Sequence, residues 1–250
     1  MTAPHPALRL FLRRLSLRSR LTEEEQQAIL AMRGHVGQAL PNRDIVPPGH
    51  RVDHSCLVAE GLAGRFGQLP DGMRQITAIY IPGDMCDLHS AMLPRVEWAL
   101  QALSAPLTYL KIPHGELLRV SRTYPAVAEA FWRDCVVDAS IIAQWVVSLG
   151  RRSAVARAAH LLCEMALRIE SAGQGTRTVF DFPATQIHVA DALGITAVHM
   201  NRVVRSLRQR GVLAWTGRTI RILDWDALVH IGSFDEGYLE FHPDAERRPM

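Results

Sequence analysis

The chain has 250 residues, of which 48% are apolar, and a formal net charge of only +3; a chain of this size buries a real core and divides into about two domains. No stretch approaches the ~18 consecutive apolar residues of a membrane span, and Arg9, Arg13, Arg14, Arg18 and Arg20 interrupt every candidate leader, so the expected location is the cytoplasm, with no membrane partner. Cys56, Cys86, Cys135 and Cys163 form no CxxC pair and lie in segments that read as core, which points to reduced structural thiols.

An apolar-periodic opening (Leu8, Phe11, Leu12, Leu15) leads to a helix capped at Thr22, with Glu23, Glu24 and Glu25 in its first turn; these N-terminal helices occupy 1–32. From 33 to 120 the period changes to that of strands. Alternating runs at Ser55–Ala59, Leu62–Leu69, Arg74–Ile81, Trp98–Leu103 and Leu107–Ile112 are separated by Pro47-Pro48-Gly49, Pro70-Asp71-Gly72 and Pro82-Gly83. Short strands punctuated in this way predict a small antiparallel barrel or jelly roll.

The segment 121–150 predicts one long helix, with Pro125 in its first turn and Gly150 at its end. Ala128, Phe131, Cys135, Ala139, Ile142, Val146 and Leu149 recur at spacings of three and four, a seam suited to a partner helix. Trp132, Val136, Ile141 and Trp145 make a second apolar face. Two apolar faces on one helix suit packing on the chain's own domain and on a second copy, so a homodimer is expected.

The region 151–232 reads as a winged helix-turn-helix. A scaffold helix (Val155, Ala158, Ala159, Leu162, Leu167) precedes a helix from about Thr185 to Leu193, a turn at Gly194 and a second helix from Thr196 to about Gln209. Two short strands around Thr216-Gly217-Arg218 make the wing. Between Arg151 and Arg221 eleven arginines face four carboxylates, a net +7 that leaves the remainder of the chain at −4. A polyanion partner for this part alone follows, and double-stranded DNA is the natural one. Outward residues at the start of the second helix, Thr196, Ala197, His199, Asn201 and Arg202, are candidates for base or phosphate contact, and Arg205, Arg208 and Arg218 for phosphate contact. The rest, 233–250, carries Asp235, Glu236, Glu240, Asp244 and Glu246 and reads as a polar tail, either disordered or capping the module. No nucleophile with a base, carboxylate pair or metal set stands out: His50 and His54 share one strand face, but the HxH pair of a metal-binding cupin is missing. Catalysis is therefore not expected.

The order of these parts resembles the cyclic-AMP receptor/fumarate-nitrate regulator (Crp/Fnr) family over nearly the whole chain. The resemblance rests on the turn Ile81-Pro82-Gly83-Asp84, the long helix, and the runs Phe182-Pro183-Ala184-Thr185-Gln186-Ile187-His188-Val189-Ala190-Asp191-Ala192-Leu193-Gly194-Ile195-Thr196 and Met200-Asn201-Arg202-Val203-Val204-Arg205-Ser206-Leu207-Arg208-Gln209-Arg210-Gly211-Val212-Leu213. It implies an α+β chain with a cyclic-nucleotide-binding-like β-roll, a dimerisation helix and a C-terminal winged helix-turn-helix. It also implies a roughly palindromic promoter site and RNA polymerase as a partner. A hinge near Gly150–Ser153 would reorient the two recognition helices toward half-sites ~34 Å apart, one DNA turn.

Departures from the family pattern bear on the effector. Where nucleotide-binding members hold ribose and phosphate, this chain has Asp87-Leu88-His89 and Trp98-Ala99-Leu100, so the phosphate lacks its arginine and meets Asp87; cyclic AMP is not expected. Nor is an iron–sulfur cluster, since the first cysteine is Cys56. The Arg and Glu that commonly follow the first Ser/Thr of the recognition helix are Ala197 and Val198, so the family's half-site reading does not carry over, whereas Arg202 matches. Gly83–Ser90 resembles the stretch in which haem-containing carbon-monoxide sensors ligate iron, with His89 on the ligating histidine and Asp87 in place of the cysteine. A small unidentified effector, haem or another metal at His89, or no effector and control by abundance or redox state all remain open. So does a ligand-gated module that acts through protein contacts alone.

Overall fold

The computed structural model describes residues 4–93 and 95–241. Two helices open the chain, α1 (Pro6–Ser16) and α2 (Glu23–Leu30). Thr22 starts α2 with a reciprocal cap: its hydroxyl accepts from the Glu25 N–H and the Glu25 carboxylate accepts from the Thr22 N–H at 2.7 Å.

Seven strands follow: β1 (His35–Ala39), β2 (Asp44–Val46), β3 (His54–Glu60), β4 (Ala63–Gln68), β5 (Arg74–Tyr80), β6 (Ala99–Ala102) and β7 (Leu107–Pro113). They form two antiparallel sheets, ordered β1-β7-β3 and β2-β6-β4-β5. Val46, Cys56, Val58, Tyr80, Leu100 and Leu107 belong to the buried cluster of the roll. A short 3-10 turn, Leu88–Met92, lies between β5 and β6.

The long helix has a neighbour that periodicity does not reveal. Residues 114–123, expected to be split between the roll and the long helix, form a separate helix, α3 (His114–Thr123). Tyr124 is extended (φ −128°, ψ 95°), as a residue before proline prefers, and α4 (Pro125–Arg151) begins at the proline. Buried positions of α4 include Val127, Phe131, Val137, Ile141 and Trp145. Phe131, expected in the seam for a partner helix, therefore points inward, its ring 5.7 Å from that of Phe11. Trp132 and Val136, expected on the inner face, are 73% and 51% exposed.

Beyond Ser153, whose hydroxyl caps it, α5 (Ala154–Ser171) is buried almost throughout. The hairpin β8 (Gly175–Thr176) and β9 (Val179–Asp181) precedes α6 (Gln186–Leu193) and α7 (Ala197–Gln209). The wing strands β10 (Leu213–Thr216) and β11 (Thr219–Ile222) join that hairpin in a sheet ordered β10-β11-β9-β8. A further helix, α8 (Trp225–Gly232), packs so closely on α5 that a Cβ on Gly232 would lie 2.7 Å from the His160 nitrogen. Leu62, Phe66, Ile76 and Ile79 of the roll share one continuous core with Ile141 and Trp145 of α4 and with the interior of α5 to α7.

Of the two readings of the tail, the part that lies among the described residues follows the second and caps the module, more apolar than its carboxylates suggest. Leu239 is fully buried, and Phe234, Tyr238 and Phe241 pack against the same core. Four apolar side chains interspersed among the carboxylates supply the reason. Asp244 and Glu246 lie outside the described residues.

Candidate nucleic-acid interface

Local chemistry sets the angle between α6 and α7. Thr185 caps α6, its hydroxyl accepting the His188 N–H at 3.2 Å, while His188 Nδ1 accepts the Thr185 N–H at 3.4 Å. An imidazole thus does the work that a carboxylate usually does in this cap. Gly194 ends α6 in the left-handed region (φ 62°), and its N–H reaches the Ala190 carbonyl. A side chain there would be strained and would meet Leu149 Cδ2 at 3.1 Å. Met200, Val203, Val204 and Leu207 are buried and hold α7 against the module.

Thr196 is the N-cap of α7, and its hydroxyl accepts the His199 N–H at 3.2 Å. That hydroxyl is thus engaged in capping, while the helix N-terminus keeps its attraction for a phosphate. Val198, Asn201, Arg202 and Arg205 are exposed at i, i+3, i+4 and i+7, a single outward stripe, with exposed His199 on its flank. The side chains of Asn201, Arg202 and Arg205 enter no hydrogen bond or ion pair among the described residues. Val198 is a residue that sequence reasoning missed. At 64% exposure its methyls are free to meet a thymine methyl, and the signal was its place on the stripe.

Of two remaining candidates, one lies in the last turn of α7 and one at the tip of the wing. Arg208 donates to the Trp215 carbonyl and so ties α7 to β10, while the Trp215 indole donates to the Gly217 carbonyl at 3.2 Å. Arg218 is exposed at the tip. Ala197 is half-buried at the edge of the stripe, one turn before Asn201, and lines the cleft between α6 and the β4–β5 hairpin.

The two effector candidates separate. Asp87 is sealed from solvent, accepts the Cys56 N–H at 2.8 Å, and is pushed by burial up to about 7. It is a structural carboxyl of the roll, so the expected repulsion of a phosphate by an open Asp87 does not describe this site. His89 sits over Trp98, ring centroids 4.8 Å apart, and burial, with the charge of Arg65, brings it down to about 4, so the imidazole is neutral at physiological pH. It lines an apolar cavity of about 580 Å³ with Met92, Leu117, Phe131, Trp132 and Cys135. Arg65, unforeseen here, comes from β4 and lies over the Trp98 ring at 5.9 Å. Its strand neighbours are apolar, so nothing local marks it. Burial raises all four thiols, to about 12 for Cys135 and Cys163, which leaves them protonated and slow to react near neutral pH. No group of three His, Cys, Asp or Glu suited to a metal occurs among the described residues.

Comparison with known proteins agrees with this architecture. The family described as the Crp-like helix-turn-helix domain matches residues 156–231. The chain is 24% identical over 214 residues to the transcriptional activator protein FnrL of Cereibacter sphaeroides, covering 83% of this chain and 84% of the relative. It is 28% identical to the transcriptional activatory protein AadR of Rhodopseudomonas palustris (71% and 74% covered) and 27% identical to the nitrogen fixation regulation protein FixK of Rhizobium meliloti (75% and 82%). Among solved structures, FixK2 from Bradyrhizobium japonicum superposes with a TM-score of 0.72 at 22% identity, over 80% of this chain and 98% of the other. A CooA variant from Carboxydothermus hydrogenoformans gives 0.63 at 16% identity, over 80% and 88%.

Proposed function

We propose that the chain, whose residues 156–231 match the Crp-like helix-turn-helix domain and which is similar to FnrL and FixK regulators, is a transcription regulator of Crp/Fnr type that acts as a homodimer and reads a roughly palindromic promoter site through α7. Members of this family are DNA-binding regulators and not enzymes. The observation that carries the reading is the stripe of Val198, Asn201, Arg202 and Arg205, exposed and with no hydrogen-bond or ion-pair partner among the described residues, at the start of the second helix of a helix-turn-helix. Arg202 supplies a bidentate donor for a guanine edge, and Arg205 and Arg218 neutralise phosphate. A cytoplasmic location and contact with RNA polymerase belong to this reading; among the described residues no helix is long and apolar enough to cross a membrane.

The dimer seam we assign is shifted from the one that spacing alone suggests. Trp132, Val136, Ala139, Ala143 and Val146 are exposed on α4 at spacings of four, three, four and three, the pattern of a coiled-coil seam. Ala128, Cys135, Ile142 and Leu149 flank it, and Phe131 does not take part. The test is selection of bound sites from a random pool of DNA duplexes, run beside Trp132→Asp. The wild-type chain is expected to enrich a two-fold symmetric site, and Trp132→Asp to sediment as a monomer and enrich none. A dimeric Trp132→Asp would remove this seam.

No cyclic nucleotide and no iron–sulfur cluster enters this reading. A second reading, haem sensing, is favoured by one observation: a neutral His89, with no hydrogen bond among the described residues, borders a large apolar cavity. Its imidazole would hold the iron, and bound haem would supply diatomic-gas chemistry. Protein expressed with haem supplied should then show a Soret band that is lost in His89→Ala; a colourless wild-type chain would end the haem reading.

A further inference from the structure

A buried ring of charged and polar groups closes on the C-terminal segment. Tyr238 donates from its hydroxyl to Glu164 at 3.0 Å, and the other Glu164 oxygen accepts from Arg168 at 3.0 Å. Arg168 donates onward to Asp84 at 2.6 Å and to the Ile79 carbonyl at 2.9 Å. The other Asp84 oxygen accepts from Arg14 at 2.6 Å, and Arg14 donates to Asp134 at 2.7 Å. Arg18 lies 3.6 Å from the same Asp134 oxygen and returns to the tail by donating to the Leu239 carbonyl at 2.9 Å, with the Phe241 ring beneath its guanidinium. Neighbouring residues 238 and 239 therefore start and finish a circuit through α5, the Ile81–Asp84 turn, α1 and α4.

Such a circuit fixes geometry more than it adds net stability, because losing one member leaves a buried charge short of a partner; Glu164 also accepts from the Trp145 indole at 2.9 Å and Asp84 from the Ile81 N–H at 2.9 Å. What it fixes here is the placement of α5, the scaffold of the winged helix, on the roll. Gln75 donates to the Ala192 carbonyl at 3.0 Å and His188 Nε2 meets Asn42 Oδ1 at 3.1 Å, so α6 is held to the roll as well. This docking leaves Val198, Asn201, Arg202 and Arg205 exposed. Beyond Gly150–Ser153 the module is thus docked on the roll in this structure.

We propose that the segment Phe234–Phe241 is a clamp that closes this ring and holds the winged helix in its DNA-binding orientation, so that the protein binds its site without an effector. The proposal rests on the DNA-binding reading above. Its mechanism is preorganisation: if release lets the module spend only about a tenth of its time docked, apparent affinity falls roughly tenfold.

The test uses dialysed full-length protein, a chain ending at Ser233, and full-length Tyr238→Phe, with circular dichroism to confirm folding. Binding to the selected duplex and amide exchange along α5 are measured without any small molecule. The wild-type chain is expected to bind. The truncated chain should bind roughly tenfold or more weakly and exchange faster around Glu164–Arg168, with Tyr238→Phe in between. Equal binding and equal exchange in all three would overturn the clamp, and tighter binding on truncation would make the segment inhibitory and overturn it too. If the truncated chain does not fold, Tyr238→Phe decides. A wild-type chain that binds no specific duplex without a small molecule would overturn effector-free binding; salt-dependent binding of non-specific duplexes that persists would keep the DNA-binding reading, and its loss as well would sink that reading.

Discussion

Arg202→Ala is expected to weaken binding to the selected site by roughly 30-fold to 10⁴-fold while leaving the fold intact. A bidentate arginine–guanine contact discriminates by about 1–3 kcal/mol, and a two-fold symmetric dimer makes it twice. Because the Arg202 side chain is exposed and pairs with nothing among the described residues, its removal disturbs no packing. Competition by non-specific DNA separates the roles. Arg202→Ala should lose the preference for the symmetric site, whereas Arg205→Ala should weaken all duplexes alike and reduce the salt slope by about two phosphate contacts, one from each protomer. An Arg202→Ala dimer that still binds with full specificity would move recognition away from α7. Complete loss with the dimer intact would exclude a module that works through protein contacts alone.

The largest stability effect is expected at Arg168. Arg168→Met removes the shared cation of Asp84 and Glu164, both sealed in the interior, and the donor to the Ile79 carbonyl. Breaking a buried pair on one side costs about 3–5 kcal/mol, which corresponds to a melting temperature lower by about 6–20 °C for a chain of this size. Arg119→Met, which breaks the exposed pair with Glu116, provides the contrast and should change stability by less than about 1 kcal/mol. Acid should shrink the gap between Arg168→Met and wild type. Burial alone would raise the Asp84 carboxyl, but Arg14 and Arg168 hold it below its ordinary 3.8. A depressed folded value means that the contribution is complete above 3.8 and fades as the pH falls through the folded value. Urea unfolding at pH 7 and at about pH 2, well below 3.8, measures both effects. If Arg168→Met behaved like Arg119→Met at pH 7, the ring would hold nothing.

Long helical periods and turn chemistry were legible in the chain. Thr22 and Thr185 mark helix starts, Gly194 marks the turn, and the basic surplus after Arg151 marks the module that meets DNA. Short or locally ambiguous elements were not. The three residues of β2 are too few to show alternation, and α3 follows β7 directly, with Leu117 and Val120 its only buried residues. On α4 two apolar stripes run side by side, so Phe131 and Trp132 exchange faces with a rotation of one residue, and only packing against Phe11 decides between them. The ionic ring joins partners as far apart in sequence as Arg18 and Leu239, and no local pattern announces such pairs. Of the proposed binding residues, Asn201, Arg202 and Arg205 are readable from the family-like run on α7. Val198 was passed over because an exposed valine is informative only once its face is known.

The most direct test of a dimer that reads DNA through α7 is the selection of duplexes from a random pool by the purified full-length chain. The account predicts one enriched site with two-fold symmetry, half-site centres ~34 Å apart, and binding that steepens in its salt dependence with each phosphate contact. Enrichment of no site, or of an asymmetric one bound by a monomer, would contradict it.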